Sequence, residues 1–378
     1  MKVMMLGQMV GGLDIYIRNT ISYADDNIDY LIVKGEADNN KPVIHSGKAV
    51  REISISLYRA LNPWKDIRGV FQAIKIIRNE KPNLVHCHSA KGGVVGRIAA
   101  WRCGIPCAYT PHAFSFLCSD SRLKSGLFRL IERMTKFKTY VLACGESERE
   151  MAINEVGYRS KSALCWSNSV PDASKEVMTE LNEKSRESLQ MMENVTNFVA
   201  YIGRPSYQKN TLLWLEVIKM VHSVHPEVKF VLFGCGFYAP ELDELKAKIS
   251  EYGLQESVLL LPWLQHDLTM QKMKESLFYM TPARYEGLPL TVLEAMSMGK
   301  AIVASDVPGN RDCVKDGVNG RLVALTVEEL AKATIELIEK PELREKYGKA
   351  AREMFERDFL IDNRIGALME TYREIAKN

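Results

Sequence analysis

Short apolar runs alternate with amphipathic stretches along the chain, and the alternation occurs in two series. In the first series, strand-like runs such as KVMML, IDYLIV and NLVHCH are separated by stretches with helical periodicity, for example DIRGVFQAIKIIRNE. The second series begins with NFVAYIG and continues through KFVLFG, SVLLL, LFYM and AIVAS. Because buried parallel strands are near-continuous apolar runs joined by helices, the pattern predicts an α/β fold with two doubly wound, Rossmann-like sheets.

The stretch between the two series, 167–197, is polar and only weakly periodic. We interpret it as the crossing between an N-terminal domain at 1–170 and a C-terminal domain at 171–358. A last helix, at about 359–378, is expected to pack back on the N-terminal domain. Two such domains in tandem are expected to face a central cleft at the carboxyl ends of their strands, where α/β folds bind ligands.

The composition is that of a globular protein with more than one core. The 378 residues are 46% hydrophobic and 26% charged, and they contain no apolar run long enough to span a membrane. The N-terminus lacks the pattern of a secretory signal, and the eight cysteines form neither a C-x-x-C pair nor zinc-ligand spacing. We therefore expect a cytoplasmic protein with free thiols.

The charge of the chain is unevenly distributed, although its total is only +3. Residues 1–170 contain 24 Lys and Arg against 15 Asp and Glu, whereas residues 171–378 contain 26 against 32. The basic first half predicts an acidic partner, either an anionic membrane surface or a phosphorylated substrate. We expect no nucleic-acid partner.

The segment ARYEGLPLTVLEAMSMG is the strongest candidate for chemistry. It places Glu286 in a loop directly before a predicted helix, and Glu294 within that helix. Gly287, Leu288 and Pro289 lead into the helix, and Pro289 suits its first turn. Unpaired amide groups at a helix start lie at the positive end of the helix dipole and attract phosphate. The alternative is an ordinary loop–helix junction with one solvated glutamate and one glutamate on the helix surface.

Two further loops follow strands of the predicted sheets. Arg204 and Lys209 flank the loop in YIGRPSYQKN, where two cations suit a diphosphate that gains negative charge; solvated surface charge is the alternative. Gly11 and Gly12 follow the first strand and would let a ligand approach the backbone, unless they form a plain turn. The segment GQMVGG is not the dinucleotide fingerprint, which argues against a dehydrogenase.

Three histidines also lie near predicted strand ends. His112, in YTPHAFSF, could hydrogen-bond a sugar hydroxyl, although a histidine beside aromatic residues is often structural. His86 and His88 are expected to point to opposite faces of their strand, which does not suit shared metal ligation. We interpret this pair as packing or cleft-lining residues.

The segment 121–138 is basic and amphipathic. Its apolar residues at helical spacing are Leu123, Leu127, Leu130, Met134 and Phe137, and its cations are Arg122, Lys124, Arg129, Arg133, Lys136 and Lys138, against the single acid Glu132. Such a helix either packs on the core with a basic solvent face or docks on anionic lipid. We predict peripheral contact with the inner face of the plasma membrane.

Taken in order, these motifs resemble the glycosyltransferases of the GT-B fold, specifically the retaining group called family 4. The residues that carry the resemblance are Gly11-Gly12, VHCHSAKGGVVGRIAA, YTPHAF, ACGESER, YIGRPSYQKN, the pair Glu286 and Glu294, and SDVPGNRDCVKDGVNG. The similarity covers nearly the whole chain. TPHAFSFL and GNRD resemble the members that build bacterial capsule, O-antigen and exopolysaccharide units.

The resemblance implies a role for each matching residue. It gives the donor diphosphate to Arg204 and Lys209, the nucleotide ribose to Glu294, and the hydroxyls of the transferred sugar to Glu286. It places His112 near the reacting face of the sugar, and the pocket for the nucleotide base around Gly234–Gly236 and Pro262–Leu264. The residues that it assigns to donor binding are Gly12, Gly203, Arg204, Lys209, Gly234, Gly236, Leu264, Glu286, Gly287, Leu288, Pro289 and Glu294, and those that it assigns to catalysis are His112, Glu286, Arg204 and Lys209.

The implied reaction is transfer of a sugar, with retention, from a nucleotide-diphosphate donor to a glycan or lipid-diphosphate-linked acceptor. A UDP-linked hexose or N-acetylhexosamine is the preferred donor. No D-x-D triplet occurs in the sequence, so neither a metal nor another cofactor is expected. A nucleotide-sugar epimerase of the same fold and a non-catalytic nucleotide-sugar-binding protein remain as alternatives.

Two positions depart from the family pattern. Asn210 follows Lys209 where glycine is common, and Asn310, Arg311 and Asp312 replace a frequent Gly-x-x-Glu. The second departure makes the donor sugar harder to infer from the family.

Overall fold

The computed structural model describes residues 1–36, 38, 41–58, 62–236 and 239–377. By internal contacts the chain divides into two compact units. The first comprises Met1–Pro171 together with Ile361–Asn378, and the second is Asp172–Leu360. The predicted α/β class, with two doubly wound parallel sheets, is confirmed by this architecture.

The described part of the first unit contains strands and helices in the predicted alternation. Its strands are β1 (Lys2–Leu6), β2 (Asp29–Gly35), β3 (Ile44–His45), β4 (Lys48–Ala49), β5 (Arg51–Ile55), β6 (Leu84–His88), β7 (Cys107–Thr110), β8 (Thr139–Ala143) and β9 (Ala163–Cys165). Its helices are α1 (Gly12–Ser22), α2 (Pro63–Glu80), α3 (Ser89–Cys103), α4 (Arg122–Met134) and α5 (Glu146–Met151), and the unit is completed by a C-terminal helix, Ile361–Ile375.

The second unit contains the remaining elements. Its strands are β10 (Phe198–Ile202), β11 (Lys229–Phe233), β12 (Val258–Leu261), β13 (Tyr279–Thr281), β14 (Ile302–Ser305) and β15 (Gly320–Val323). Its helices are α6 (Glu183–Met191), α7 (Thr211–His222), α8 (Leu242–Glu251), α9 (His266–Glu275), α10 (Leu290–Ser297), α11 (Asn310–Cys313), α12 (Val327–Glu339) and α13 (Pro341–Asp358), and the C-terminal helix of the first unit is α14.

Each unit is built on one parallel sheet. Within the described residues, the first sheet has the order β5-β2-β1-β6-β7-β8-β9 and the second the order β12-β11-β10-β13-β14-β15. Central strand β1 pairs Met5 with Ile32 on one side and with His86 on the other. Its apolar side chains are buried because helices cover both sheet faces, as right-handed crossovers between parallel strands require.

Several elements escaped the sequence patterns. Strand β5 is an edge strand whose sequence, REISI, alternates polar and apolar residues, and its first four residues are exposed or half-buried. Strands β9 and β15 are short and partly exposed. The polar stretch interpreted as the crossing contains a helix, α6, which begins at an Asn182 cap that accepts from the amide of Ser185 at 2.9 Å.

The C-terminal helix α14 packs on the first sheet. The hydroxyl of Tyr372 lies 2.6 Å from Nδ1 of His86, and the hydroxyl of Tyr30 lies 3.5 Å from the sulfur of Met369. Tyr372 is fully buried. The last helix of the chain is therefore part of the core of the first unit.

Candidate functional site

The predicted donor residues of the second unit lie along one edge of its sheet. Gly203 follows β10, Gly234 follows β11, Leu264 follows β12 and Glu286 follows β13. In the sheet order β12-β11-β10-β13 these four strands are neighbours. Because parallel strands end at the same edge, residues up to 83 positions apart in sequence are brought to one side of the unit.

The loop after β13 leads into α10 as the sequence predicted, with one correction. Pro289 is not in the first helical turn but precedes it as the cap residue, in an extended conformation. The amide of Val292 is the first to donate within the helix, to the carbonyl of Pro289 at 3.0 Å. The amides of Leu290 and Thr291 thus precede the first intrahelical bond, which leaves a helix start of the kind that binds anions.

Lys209 and Glu286 form an ion pair at this edge. The ammonium of Lys209 lies 2.7 Å from Oε1 of Glu286, and their side chains are 17% and 8% exposed. The other carboxylate oxygen accepts from the Gln208 amide at 3.1 Å. The amide of Arg284 donates to the Gln208 carbonyl at 2.9 Å, so that the loops after β10 and β13 are joined. A cation and a carboxylate predicted to serve different groups of the donor are therefore in direct contact.

Glycines around Lys209 permit this arrangement. A Cβ on Gly203 would lie 3.1 Å from three carbons of the Lys209 side chain, so the lysine stem packs over the backbone there. Gly234 has a φ of +111°, and a Cβ on it would lie 3.0 Å from the ring of Trp263 and 3.1 Å from the carbonyl of Gly203. Arg204 is half-buried beside Gly203.

The predicted base pocket includes Gly234, Gly236 and Leu264. Gly236 has a φ of +152°, and a Cβ placed on it would meet nothing within 4 Å. Leu264 is half-buried, and the neighbouring Trp263 is 45% exposed. An open backbone beside an accessible indole suits a planar base, and the assignment to the base stays a prediction.

Both departures from the family pattern have a structural reason. Asn210 adopts a left-handed conformation, φ 55° and ψ 44°, which asparagine tolerates better than other residues with a Cβ. Its side-chain amide donates to the carbonyl of Pro282 at 3.1 Å, which asparagine offers and glycine does not. Asn310 donates to the carbonyl of Ser305 at 3.0 Å, and the Ser305 hydroxyl donates to the carbonyl of Ala283 at 2.6 Å.

Gly309 fixes the position of the Glu286 loop from the other side. Its φ is +85°, and a Cβ on it would lie 2.7 Å from the carbonyl oxygen of Glu286. The amide of Glu286 donates to the carbonyl of Pro308 at 3.1 Å. The segment that carries the second departure therefore supports the loop of the carboxylate assigned to the transferred sugar.

Glu294 has a partner that the sequence did not indicate. Its Oε1 lies 3.0 Å from Nε2 of His266, whose other ring nitrogen lies 2.9 Å from the carboxylate of Glu176. Partial desolvation lowers the pKa of His266, whose side chain is still 42% exposed, but the charge of Glu294 and the hydrogen bonds to Glu176 and Glu294 outweigh it and raise the pKa to about 10. His266 was missed because a lone histidine at the start of a helix has no distinctive spacing from glutamates 90 and 28 residues away.

In the first unit, His112 belongs to a row of aromatic side chains. Its Nε2 lies 3.2 Å from Nδ1 of His88, its Nδ1 lies 3.5 Å from the sulfur of Cys144, and the ring of Tyr16 meets it edge-on at 4.7 Å. Burial lowers the pKa of His112 to about 3, so the imidazole is neutral at pH 7. Its φ of +53° and that of Ala113, +74°, are strained for residues with a Cβ.

The prediction that His86 and His88 point to opposite faces was wrong. Residues two apart on a strand share a face, and the two ring centroids are 4.0 Å apart. Nε2 of His86 lies 2.9 Å from the Thr110 hydroxyl, which donates to the carbonyl of Leu142 at 2.8 Å. His86 therefore donates from Nε2 and accepts from Tyr372, which supports a packing role.

The two glycines that follow the first strand lie at the start of helix α1. Gly12 is the exposed first residue of α1, and a Cβ there or on Gly11, whose φ is +62°, would meet nothing within 4 Å. As to metals, the described ranges contain no group of three or more His, Cys, Asp or Glu side chains arranged to hold an ion. In the same ranges no helix is long and apolar enough to cross a membrane.

Helix α4 turns four of the five apolar residues of its predicted face outward, the exception being the half-buried Phe137 that follows the helix. Leu123 is 88% exposed, Leu127 55%, Leu130 52% and Met134 68%. The alternative in which this face packs on the core is therefore wrong. The helix is held on its inner side by Phe128, which packs against the core, and by Glu132, which is buried and pairs with the guanidinium of Arg97 at 2.8 Å.

Comparisons with known proteins agree with the fold and with these motifs. The protein-family model described as "Glycosyl transferase 4-like domain" matches residues 12–162. The family model described as "Glycosyl transferases group 1" matches residues 183–354. The first match lies within the first unit and the second within the second unit. The chain is therefore a family 4-like glycosyltransferase of the GT-B fold, and the predicted family is confirmed.

Among curated proteins, the chain is similar to the UDP-Gal:alpha-D-GlcNAc-diphosphoundecaprenol alpha-1,3-galactosyltransferase of Escherichia coli. The two are 27% identical over 329 residues, which cover 85% of this chain and 83% of the relative. It is also similar to the O-antigen biosynthesis glycosyltransferase WbnH of Escherichia coli, at 26% identity over 71% of both chains.

Solved structures show the same fold. Sucrose-phosphate synthase from Thermosynechococcus elongatus superposes with a TM-score of 0.82 at 18% identity, over 99% of this chain and 98% of the other. Anabaena Alr3699/HepE in complex with UDP-glucose gives a TM-score of 0.77 at 20% identity, over 98% of this chain and all of the other.

Proposed function

We propose that this glycosyltransferase moves a hexose or N-acetylhexosamine from a UDP-sugar to a glycan or lipid-diphosphate-linked acceptor, with retention and without a metal, in the synthesis of a bacterial surface polysaccharide. Two relatives support the proposed donor and acceptor. One transfers galactose from UDP-Gal to a diphosphoundecaprenol-linked sugar, and the other serves O-antigen biosynthesis. A structural neighbour binds UDP-glucose.

The observation that carries the proposal is the cluster at the strand ends of the second unit. Arg204 follows β10, the Lys209–Glu286 pair joins the loops after the neighbouring strands β10 and β13, and Glu294 lies in α10, which follows the second of these loops. Two cations and a helix start offer positive potential to a diphosphate, and a carboxylate on each side can accept hydrogen bonds from hydroxyls. An arrangement with both features suits a nucleotide-sugar better than a nucleotide or a sugar alone.

In the proposed reaction, the bond from the anomeric carbon to the β-phosphate oxygen breaks as the acceptor oxygen bonds to that carbon from the same face. The acceptor proton passes to the departing phosphate, whose growing negative charge is stabilised by Arg204 and Lys209. Glu286 orients hydroxyls of the sugar, and His112, neutral at pH 7, is proposed to hydrogen-bond another. The two protein cations would take the place of a metal ion.

The donor assignment is tested with UDP-sugars and substitutions. Arg204→Ala and Glu294→Ala should each lower kcat/KM for transfer by roughly 100-fold, from lost hydrogen bonds to charged groups. Arg357→Ala, which removes an exposed cation paired to Asp358, is the matched control and should leave transfer unchanged. Full activity in both site variants would contradict the assignment.

Stereochemistry and metal independence need their own measurements. NMR of the product formed from a UDP-α-sugar should show an α-linkage, and the rate should be unchanged after EDTA treatment. A β-linked product, or loss of activity that a divalent ion restores, would refute the corresponding part of the proposal. The epimerase alternative predicts conversion of the donor without any acceptor, which the same NMR experiment detects.

We further propose that helix α4 contacts an anionic membrane surface, where a lipid-linked acceptor would lie. The exposed face of Leu123, Leu127, Leu130 and Met134 is flanked by cations. Arg129, Arg133 and Lys136 bind the turn at 155–157, whereas Arg122, Lys124 and Lys138 make no side-chain hydrogen bond in the part of the chain that the structure describes. Two cations without an acid in the first turn oppose the helix dipole, so helix stability does not explain them.

A second exposed stripe on the same side of the first sheet supports this contact. Trp64, Ile67 and Phe71 of α2 are 83%, 50% and 68% exposed and recur at helical spacing. Helices α2, α3 and α4 connect strands that advance in one direction across the sheet, so right-handed crossovers place all three on one face. Exposed tryptophan beside cations is typical of surfaces that meet lipid headgroups.

The membrane proposal is tested by co-sedimentation with vesicles of phosphatidylglycerol and phosphatidylcholine. Binding should require the anionic lipid and should fall about fivefold for each of Arg122→Gln and Lys124→Gln, at ~1 kcal/mol per cation. Leu123→Glu with Leu127→Glu should abolish binding. Val177→Glu, at an 83% exposed apolar residue of the second unit, is the control. Equal binding to neutral vesicles would refute the proposal.

A further inference from the structure

His266 lies between two carboxylates and touches both. Its Nε2 is 3.0 Å from Oε1 of Glu294, and its Nδ1 is 2.9 Å from Glu176. An ionised carboxylate can accept hydrogen bonds but has no proton to donate. Each ring nitrogen of His266 must therefore carry a proton in order to bond its partner. The geometry therefore describes an imidazolium that bridges Glu176 and Glu294.

The bridge occupies only one oxygen of Glu294. Within the described ranges, Oε1 is bonded to His266 and no hydrogen bond to Oε2 occurs. Glu294 is only 5% exposed, and a buried carboxylate that is free to rotate would present either oxygen in any direction. A cation fixed on one oxygen sets the direction of the other.

Glu176 itself is held in place by the segment that follows it. The amide of Thr179 donates to Asp267 at 2.7 Å, and the amide of Asn182 donates to the Gln265 side chain at 2.6 Å. The side-chain amide of Gln265 donates back to the Thr179 hydroxyl at 3.0 Å. The segment 176–182 is thus fastened to residues 265–267, on both sides of His266 in sequence.

We propose that His266 is a positioning residue of the donor site, which as an imidazolium anchored by Glu176 holds Oε1 of Glu294 and directs Oε2 toward the ribose hydroxyls of the donor. The inference rests on the proposed role of Glu294 in ribose binding. His266 does not touch the reacting atoms. Its contribution is the direction that it gives to a hydrogen-bond acceptor of the donor site.

The charges that face His266 are those of Glu176 and Glu294, with Asp267 next to it in the chain. All three are acidic and favour the imidazolium. With a pKa of about 10, the bridge persists from pH 6 to 9, whereas an unpaired histidine loses its proton near pH 6.5. Glu176→Gln removes one of the two charges and should bring a titration of donor affinity into this pH range.

The experiment measures how strongly the ribose hydroxyls contribute to binding. Calorimetry gives the affinities of the wild type, His266→Ala, His266→Gln and Glu294→Ala for UDP and for 2′,3′-dideoxy-UDP. We expect the wild type to prefer UDP by at least about tenfold, from hydrogen bonds to a charged group. His266→Ala should lose most of this preference, and His266→Gln, which keeps one donor, should retain part of it.

The outcomes separate the two proposals. If Glu294→Ala loses the preference for UDP and His266→Ala keeps it, the positioning role is refuted and the donor site stands. If Glu294→Ala prefers UDP as strongly as the wild type, the ribose assignment fails and the positioning role fails with it. In parallel, the ring-proton NMR signal of His266 should not titrate between pH 6 and 9 in the wild type, and titration near pH 6.5 would also overturn the inference.

Discussion

The two units each contain an ion pair between a cation and a glutamate, and the pairs differ in how completely they are enclosed. In the first unit, Arg97 and Glu132 are 0% and 1% exposed. In the second, Lys209 and Glu286 are 17% and 8% exposed, at the open ends of strands. Both pairs have nearly the same separation, 2.8 and 2.7 Å, so distance does not distinguish them.

The difference lies in the remaining hydrogen-bonding capacity. Arg97 also donates to the Gly93 carbonyl at 2.9 Å and to the Tyr158 hydroxyl at 3.2 Å, and its guanidinium stacks on Tyr109 at 4.1 Å. Tyr109 donates to the second oxygen of Glu132 at 3.0 Å. Lys209, by contrast, has an ammonium with three protons and a single bonded carboxylate oxygen within the described residues. The Arg97–Glu132 pair, whose charged groups are bonded on all sides, stabilises the fold. The Lys209–Glu286 pair retains ammonium protons that can bond a ligand.

Breaking the enclosed pair should have the largest effect. Glu132→Ala leaves the Arg97 charge buried without its partner, which we expect to destabilise the first unit by about 3–5 kcal/mol. Chemical denaturation followed by circular dichroism measures this loss. Arg97→Met with Glu132→Leu removes both charges and should recover much of the stability; equal loss in both variants would show that packing, rather than the unpaired charge, is responsible.

Breaking the accessible pair should affect transfer far more than folding. Lys209→Ala removes a cation that we place on the leaving diphosphate, so kcat should fall roughly 100- to 1000-fold. The free energy of unfolding should fall by about 1–3 kcal/mol, because the nearly buried Glu286 loses its cation but keeps the Gln208 amide on its other oxygen. Steady-state kinetics and denaturation of the same preparation test both statements. A large loss of stability with normal kcat would assign this pair to the fold.

Removing a single hydrogen bond from the enclosed pair should have a smaller effect. Tyr158→Phe deletes one hydroxyl that accepts from Arg97 while keeping the ring. We expect a loss of about 1 kcal/mol from the first unit, measured by the denaturation midpoint. Transfer by the folded enzyme should be unaffected. An unchanged denaturation midpoint would mean that the hydrogen bond from Arg97 to the Tyr158 hydroxyl does not stabilise the first unit.

The smallest expected effect is a pH dependence of stability from His266. Its pKa is raised from 6.5 to about 10 in the folded protein, so the folded state binds the proton more tightly. This contribution is complete below pH 6.5 and declines as the pH rises toward 10. The melting temperature of the wild type should therefore fall more between pH 6.5 and 10 than that of His266→Gln. Parallel curves for the two proteins would contradict the bridge.

The sequence predicted the sheets because their central strands are continuous apolar runs, as in KVMML and NFVAYIG. It missed β5 because REISI, at a sheet edge, is half polar. It located Glu286, Glu294, Arg204 and Lys209 through motifs, but the contact between Lys209 and Glu286 depends on strand order, which no local pattern contains. His266 was invisible for the same reason.

Helix α4 shows a different limit. An amphipathic pattern states that one face is apolar, and it does so equally for a helix that packs on a core and for one that exposes that face. Only the exposures of Leu123 and Met134, 88% and 68%, decide between the two. The cations of the segment supplied the hint, because a core-packing helix has no need of two basic residues in its first turn.

The return of α14 to the first sheet has a consequence for biosynthesis. His86 lies in the middle of the first unit, and its partner Tyr372 is 286 positions later. The ribosome therefore synthesises the whole second unit before α14 can pack on the first sheet. The unit whose translation begins first is thus completed last. Until then the groove that receives Tyr372 and Met369 is open on the nascent chain, and truncation of the last helix should leave it exposed to aggregation and proteolysis.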